Sequence, residues 1–185
     1  MAKKTRNLAA GLAMVMAAAV PSAHASQNEA AASVTPILPV QVMPRVRSDS
    51  PAIAALMLEA AARSVTFRNL VDTINASDGI VFVSEGNCGH GVRACLVHTV
   101  TMAGPNRLLR VVVDTKKVDW DLMGSMGHEL RHAVEVLSNP TVTSDSALVF
   151  FYRRGSGGGV FGDRFETKAA LRAGDRIREE ARDPR

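Results

Sequence analysis

His128 and His132, with Glu129 between them in Gly-His-Glu-Leu-Arg-His-Ala-Val-Glu, commit the middle of this chain to a helix if they are to act together. At helical spacing residues four apart share a face, where both imidazoles can grip one cation. Glu129 is turned by about 100° around the axis and can address a water beside that cation without becoming a ligand. Leu122, Met126, Leu130, Ala133, Val134 and Leu137 keep the same period and form a core-facing stripe. The pattern predicts a helix from near Asp119 or Asp121 to about Leu137, with Pro140 beyond its end.

The 185-residue chain opens Met-Ala-Lys-Lys-Thr-Arg, runs apolar from Leu8 to Val20 and reaches Ala23-His24-Ala25 before Ser26. A basic start, a short apolar run and small residues before a cleavage point are the marks of a signal peptide over residues 1–25. Export to the periplasm or the medium is the expectation. The apolar run is too short for an anchor, so no stable membrane span is expected after cleavage. About 160 residues then remain, enough for one domain with a real core. Removing Lys3, Lys4 and Arg6 with no acid takes the formal charge from +4 to about +1. With neither a basic stripe nor interleaved aromatics, no nucleic-acid partner is expected. In an oxidising compartment Cys88 and Cys95, around Gly89-His90-Gly91, are expected to form a small-loop disulfide. A metal site built from Cys88, His90 and Cys95 is the lesser alternative.

Residues 26–47 are rich in Ala, Pro and Val without periodicity and read as a flexible tether, leaving 48–185 as the single folded domain. Ser48-Asp49-Ser50-Pro51 is a helix start. The stripe from Ile53 through Leu56, Ala60, Phe67 and Leu70 to Ile74 predicts one long helix, or two with a bend near Val65-Thr66. Ile80–Ser84, Arg93–Met102 and Leu108–Asp114 are strand candidates with short connections, which suggests an antiparallel meander. After the His128 helix a mobile stretch is expected, softest at Gly155–Gly159, and then a last helix from about Asp163 to Ala181. The fold class expected is α+β.

A metal site of this kind usually takes three protein ligands. Glu135 shares the histidine face but lies about 10 Å along the axis from His128, so it is better suited to orienting His132. On the predicted last helix Glu166 falls on the stripe of Ala170, Ala173 and Ile177, opposite Arg172, Asp175 and Glu179. An acid on an apolar face needs something to satisfy it, and a cation does so. The competing reading is a carboxylate at a helix start, held by the dipole or by Arg153 or Arg154.

His128, Glu129, His132 and a later Glu166 in Phe-Glu-Thr-Lys-Ala-Ala together resemble the zincin metallopeptidases, in the gluzincin arrangement. The resemblance covers roughly Asp78 to Ala181. It implies one zinc ion held by His128, His132 and Glu166, the last on a following helix. It also implies a sheet whose edge strand holds an extended peptide, with Arg107–Asp114 as the matching strand. The glycine and third histidine of the metzincins are absent, and the segment between the helices is too short for a thermolysin-like second domain.

The expected activity is hydrolysis of an amide bond in a peptide or protein substrate, Glu129 taking the proton of water and passing it to the leaving nitrogen. Tyr152, the only tyrosine, and His98 are candidate donors to the oxyanion. Gly155–Gly159 is a candidate hinge or an ordinary surface loop. An exported metal-binding or interaction module without turnover carries the same ligands and stands as the alternative. An amide in cell-wall peptide is a further substrate class.

Overall fold

The computed structural model describes residues 44–89, 91–155 and 165–182. The expected signal peptide, most of the expected tether, and the glycine run after residue 155 lie outside these residues.

Helix α1 (Pro51–Arg63) starts as its sequence dictates, with the Ser50 hydroxyl accepting from the Ile53 amide and Pro51 in the first turn. Of the two expectations for the first stripe, the bent one holds. Ser64 has extended backbone (φ −120, ψ 119) and separates α1 from α2 (Val65–Asn75). Its amide closes α1 on the Ala60 carbonyl at 2.9 Å, while its hydroxyl caps α2 by accepting from Phe67 N at 2.9 Å. The same hydroxyl donates to Glu180 at 2.6 Å, and the Thr66 amide and hydroxyl both donate to that carboxylate. The bend is thus tied to the last helix.

Among the described residues five strands form one sheet: β1 (Val46–Arg47), β2 (Gly79–Glu85), β3 (Ala94–Leu96), β4 (Thr101–Ala103) and β5 (Asn106–Val113). Their order is β1-β2-β5-β3, with β4 also on β5. The α+β class holds, but the sheet is mixed and not a meander. β2 pairs with β5 in parallel, Gly79 opposite Arg107 through Glu85 opposite Val113. The β4–β5 pair is a hairpin, turning at Gly104, whose φ of +59 suits glycine. β3 and β4 share one edge of β5, so the chain passes along that edge before entering the centre. The tether also ends earlier than expected, because Val46–Arg47 pair in parallel with Val81–Phe82.

Val81, Val83, Leu109, Val111 and Val113 are buried among helix residues, and the intervening Phe82 is exposed. Helix α3 (Trp120–Leu137) crosses this face, capped by Asp119 as the sequence predicts. At its far end Arg107 of β5 is buried, with a bidentate pair to Asp78 at 2.7 and 2.9 Å. The same guanidinium donates to the carbonyls of Val136, Leu137, Asn139 and Val142, closing the C-terminal turn of α3.

Helix α4 (Asp145–Gly155) occupies much of the stretch expected to be mobile. It buries Leu148 and Tyr152, and its Asp145 accepts from the Val100 amide at 2.8 Å. Helix α5 (Lys168–Arg182) starts later than expected and lies against α3. Glycines permit the approach. A Cβ on Gly124 would stand 2.9 Å from the Gly174 carbonyl oxygen, and one on Gly174 would stand 3.1 Å from His128 Cβ. Among the described residues no helix is long and apolar enough to cross a membrane.

Candidate metal centre

His128 and His132 project from one face of α3 toward the segment that leads into α5. Their Nε2 atoms are 3.2 Å apart, and Glu166 Oε2 is 3.3 Å from His128 Nε2. One ligand atom from each of the three residues fits within 4.8 Å of the others, so the group could hold a metal ion. The spacing suits that use: around a tetrahedral ion with bonds of 2.0–2.1 Å, neighbouring ligand atoms lie about 3.3 Å apart. Glu166 reaches the site from the non-helical residues ahead of α5, not from the helix on which the sequence argument put it. Ala170 and Ile177 are buried as that argument required, so the direction was right while the element was wrong.

Glu135 lies against His132, the residue it is expected to orient. His132 Nδ1 lies 3.1 Å from Glu135 Oε2, and a proton donated there leaves Nε2 as a lone pair facing the site. The other carboxylate oxygen accepts from the Thr167 hydroxyl at 2.8 Å and lies 3.4 Å from Arg131 Nε. Burial works to raise the Glu135 carboxyl, but the His132 and Thr167 hydrogen bonds prevail and hold it below its ordinary range. For His128 burial works to lower the imidazole, while Glu166 and Glu129 raise it above its usual value.

Glu129 sits beside the cluster, its Oε1 3.9 Å from His128 Nε2, and is not one of the convergent ligands. Its Oε2 accepts from the Leu96 amide of β3 at 2.7 Å. Burial raises its carboxyl against the two histidines, which pull it down. Leu96 and Ala94 belong to pairs whose amides face away from β5, because Val97 N and Asp114 N make the flanking ladder bonds. The edge beside the site is therefore β3. The strand expected there, Arg107–Asp114, lies inside the sheet between β2 and β3.

Tyr152 is buried, and its hydroxyl donates to the His132 carbonyl at 3.1 Å. Its ring meets His132 edge-on at 5.5 Å and stacks on Phe165 at 5.2 Å. Burial, with the Glu135 and Glu129 charges, pushes the phenol far above its ordinary value. Tyr152, the expected donor to substrate, has its hydroxyl on the backbone of the turn that carries His132. His98 falls between β3 and β4, its ring 5.0 Å from Phe165. Cys88 and Cys95 form the expected disulfide, which closes the loop leading into β3 one residue before Leu96. His90 lies outside the described residues.

Two participants escaped the sequence. The Leu96 amide carries no side-chain signal, and Thr167 was visible only as the neighbour of Glu166. Comparison with family models, curated proteins and solved structures returns no match.

Proposed function

We propose that this chain is an exported zinc-dependent hydrolase that cleaves an amide bond, with a peptide as its substrate class. The observation that carries the reading is the convergence of two Nε2 atoms and a carboxylate at 3.2 and 3.3 Å, with a separate, largely shielded Glu129 alongside. His128, His132 and Glu166 would hold the ion. When bound, zinc supplies a Lewis acid that acidifies water and polarises a carbonyl oxygen.

Glu129 is the general base. Its carboxylate takes a proton from water and returns it to the leaving nitrogen. The Leu96 amide steadies one oxygen of that carboxylate and leaves the other turned toward His128. Glu135 keeps the His132 lone pair directed at the ion, and Tyr152 is a positioning residue for the same turn. The disulfide is compatible with an exported protein.

A metal-binding module without turnover would use the same three ligands, and Glu129→Gln separates the two. In the hydrolase that variant retains stoichiometric zinc and loses activity on a quenched casein substrate by at least about 100-fold. Glu166→Gln is expected to lose zinc. Wild-type protein that holds no zinc, or Glu166→Gln with full zinc, defeats the ligand assignment. Zinc binding without hydrolysis of proteins or cell-wall peptides by the wild type favours the module.

A further inference from the structure

The chain leading into α5 brings more than a ligand to the site. Thr167 follows Glu166 directly, and its hydroxyl is engaged twice. It accepts from the Ala170 amide at 3.1 Å, which caps α5, and it donates to Glu135 Oε1 at 2.8 Å. A hydroxyl has one proton. The amide of Ala170 takes a lone pair and leaves that proton free to turn to the carboxylate, which can only accept. Glu135 Oε2 in turn receives His132 Nδ1 at 3.1 Å. A continuous chain of hydrogen bonds therefore runs from the first turn of α5 to the imidazole on α3.

We propose that Thr167 is a positioning residue for the metal centre, setting His132 through Glu135 while it fixes the chain that carries Glu166. The proposal rests on the metal reading above. The argument is one of connectivity. Two of the three ligands stand on α3 and the third just ahead of α5, and the Thr167–Glu135 bond joins these two segments within one residue of Glu166. Glu135 is largely shielded from solvent, its side chain 12% exposed, so water is a poor replacement for the hydroxyl. Capping alone would need only the acceptor side of Thr167. The donor side reaches across to another helix.

The test is zinc affinity, measured by competition with a chromogenic chelator on wild type, Thr167→Ser, Thr167→Val, Glu135→Gln and the double variant E135Q/T167V. Serine keeps both bonds and is expected to bind within about twofold of wild type, whereas valine should bind about 10–100-fold more weakly. If Thr167 acts through Glu135, the double variant binds no more weakly than the weaker single one. A cap-only role predicts losses that multiply. Melting midpoints of the zinc-free proteins report the capping loss separately, and Thr167→Ala serves if the valine variant does not fold. Wild-type affinity in Thr167→Val, or multiplied losses in the double variant, overturns the proposal. Wild type without zinc removes the metal reading along with it; wild type with zinc and an indifferent Thr167 removes only the positioning role.

Discussion

Arg107 shows how one side chain can decide whether a helix end is sound. Its guanidinium is 2% exposed, paired with Asp78, and hydrogen-bonded to four carbonyls at the end of α3. Lysine has no planar fork to match the carboxylate and has too few donors for the carbonyls. Arg107→Lys is therefore expected to destabilise by about 1–3 kcal/mol, read as a lowered urea midpoint with an unchanged slope. Nothing local in the sequence announces this residue, since an arginine in a strand usually faces water. At the site the legible residues were those whose spacing carries chemistry: His128, Glu129, His132 and, one turn on, Glu135. Glu166 was found through a helical argument although it precedes the helix, because the neighbours used to orient it, Ala170 and Ile177, do face the core.

Among elements, the α3–α5 crossing carries the most consequence, because the approach of α5 also sets where Glu166 arrives. Alanine is intrinsically the better helix former by about 1 kcal/mol. At Gly124, however, a Cβ would lie 2.3 Å from Arg178 Cγ and 2.9 Å from the Gly174 carbonyl oxygen. The side chain can swing aside; the carbonyl moves only with its helix. Gly124→Ala is expected to cost about 1–3 kcal/mol overall and to weaken zinc binding, measured by thermal melting and chelator competition. The reverse outcome, a more stable protein with normal metal affinity, would mean that α5 slides freely. Helices α1, α2 and α3 were legible because capping residues and a 3.6-residue stripe coincide. α4 was not, since Leu-Val-Phe-Phe-Tyr is apolar on consecutive positions and has no clear face. The parallel pairing of β2 with β5 has no local signature at all, because it is decided by where the intervening chain runs.

For the whole molecule, charge pairs around the start of α3 make stability depend on acid. Burial works to raise the Asp119 carboxyl, yet hydrogen bonds from Arg93, the Leu122 amide and Lys117 bring it from 3.8 to about 2. Asp121, held by Arg178 and Arg93 against the same effect of burial, is also lowered. A carboxyl lowered in the folded state stabilises above its unfolded value and loses that contribution as pH falls through the folded one. The melting midpoint should therefore drop as pH falls from 3.8 toward about 2. The gap between wild type and Arg93→Met should shrink over the same interval. A gap that stays constant there would exclude Arg93 as the cause. The sheet has a different consequence for the protein in bulk. Among the described residues its outer strands are only two or three residues long, β1 on one side and β3 and β4 on the other. Such brief margins make poor templates for the backbone of another chain, so concentrated solutions should resist fibril growth even though the interior strands are rich in valine.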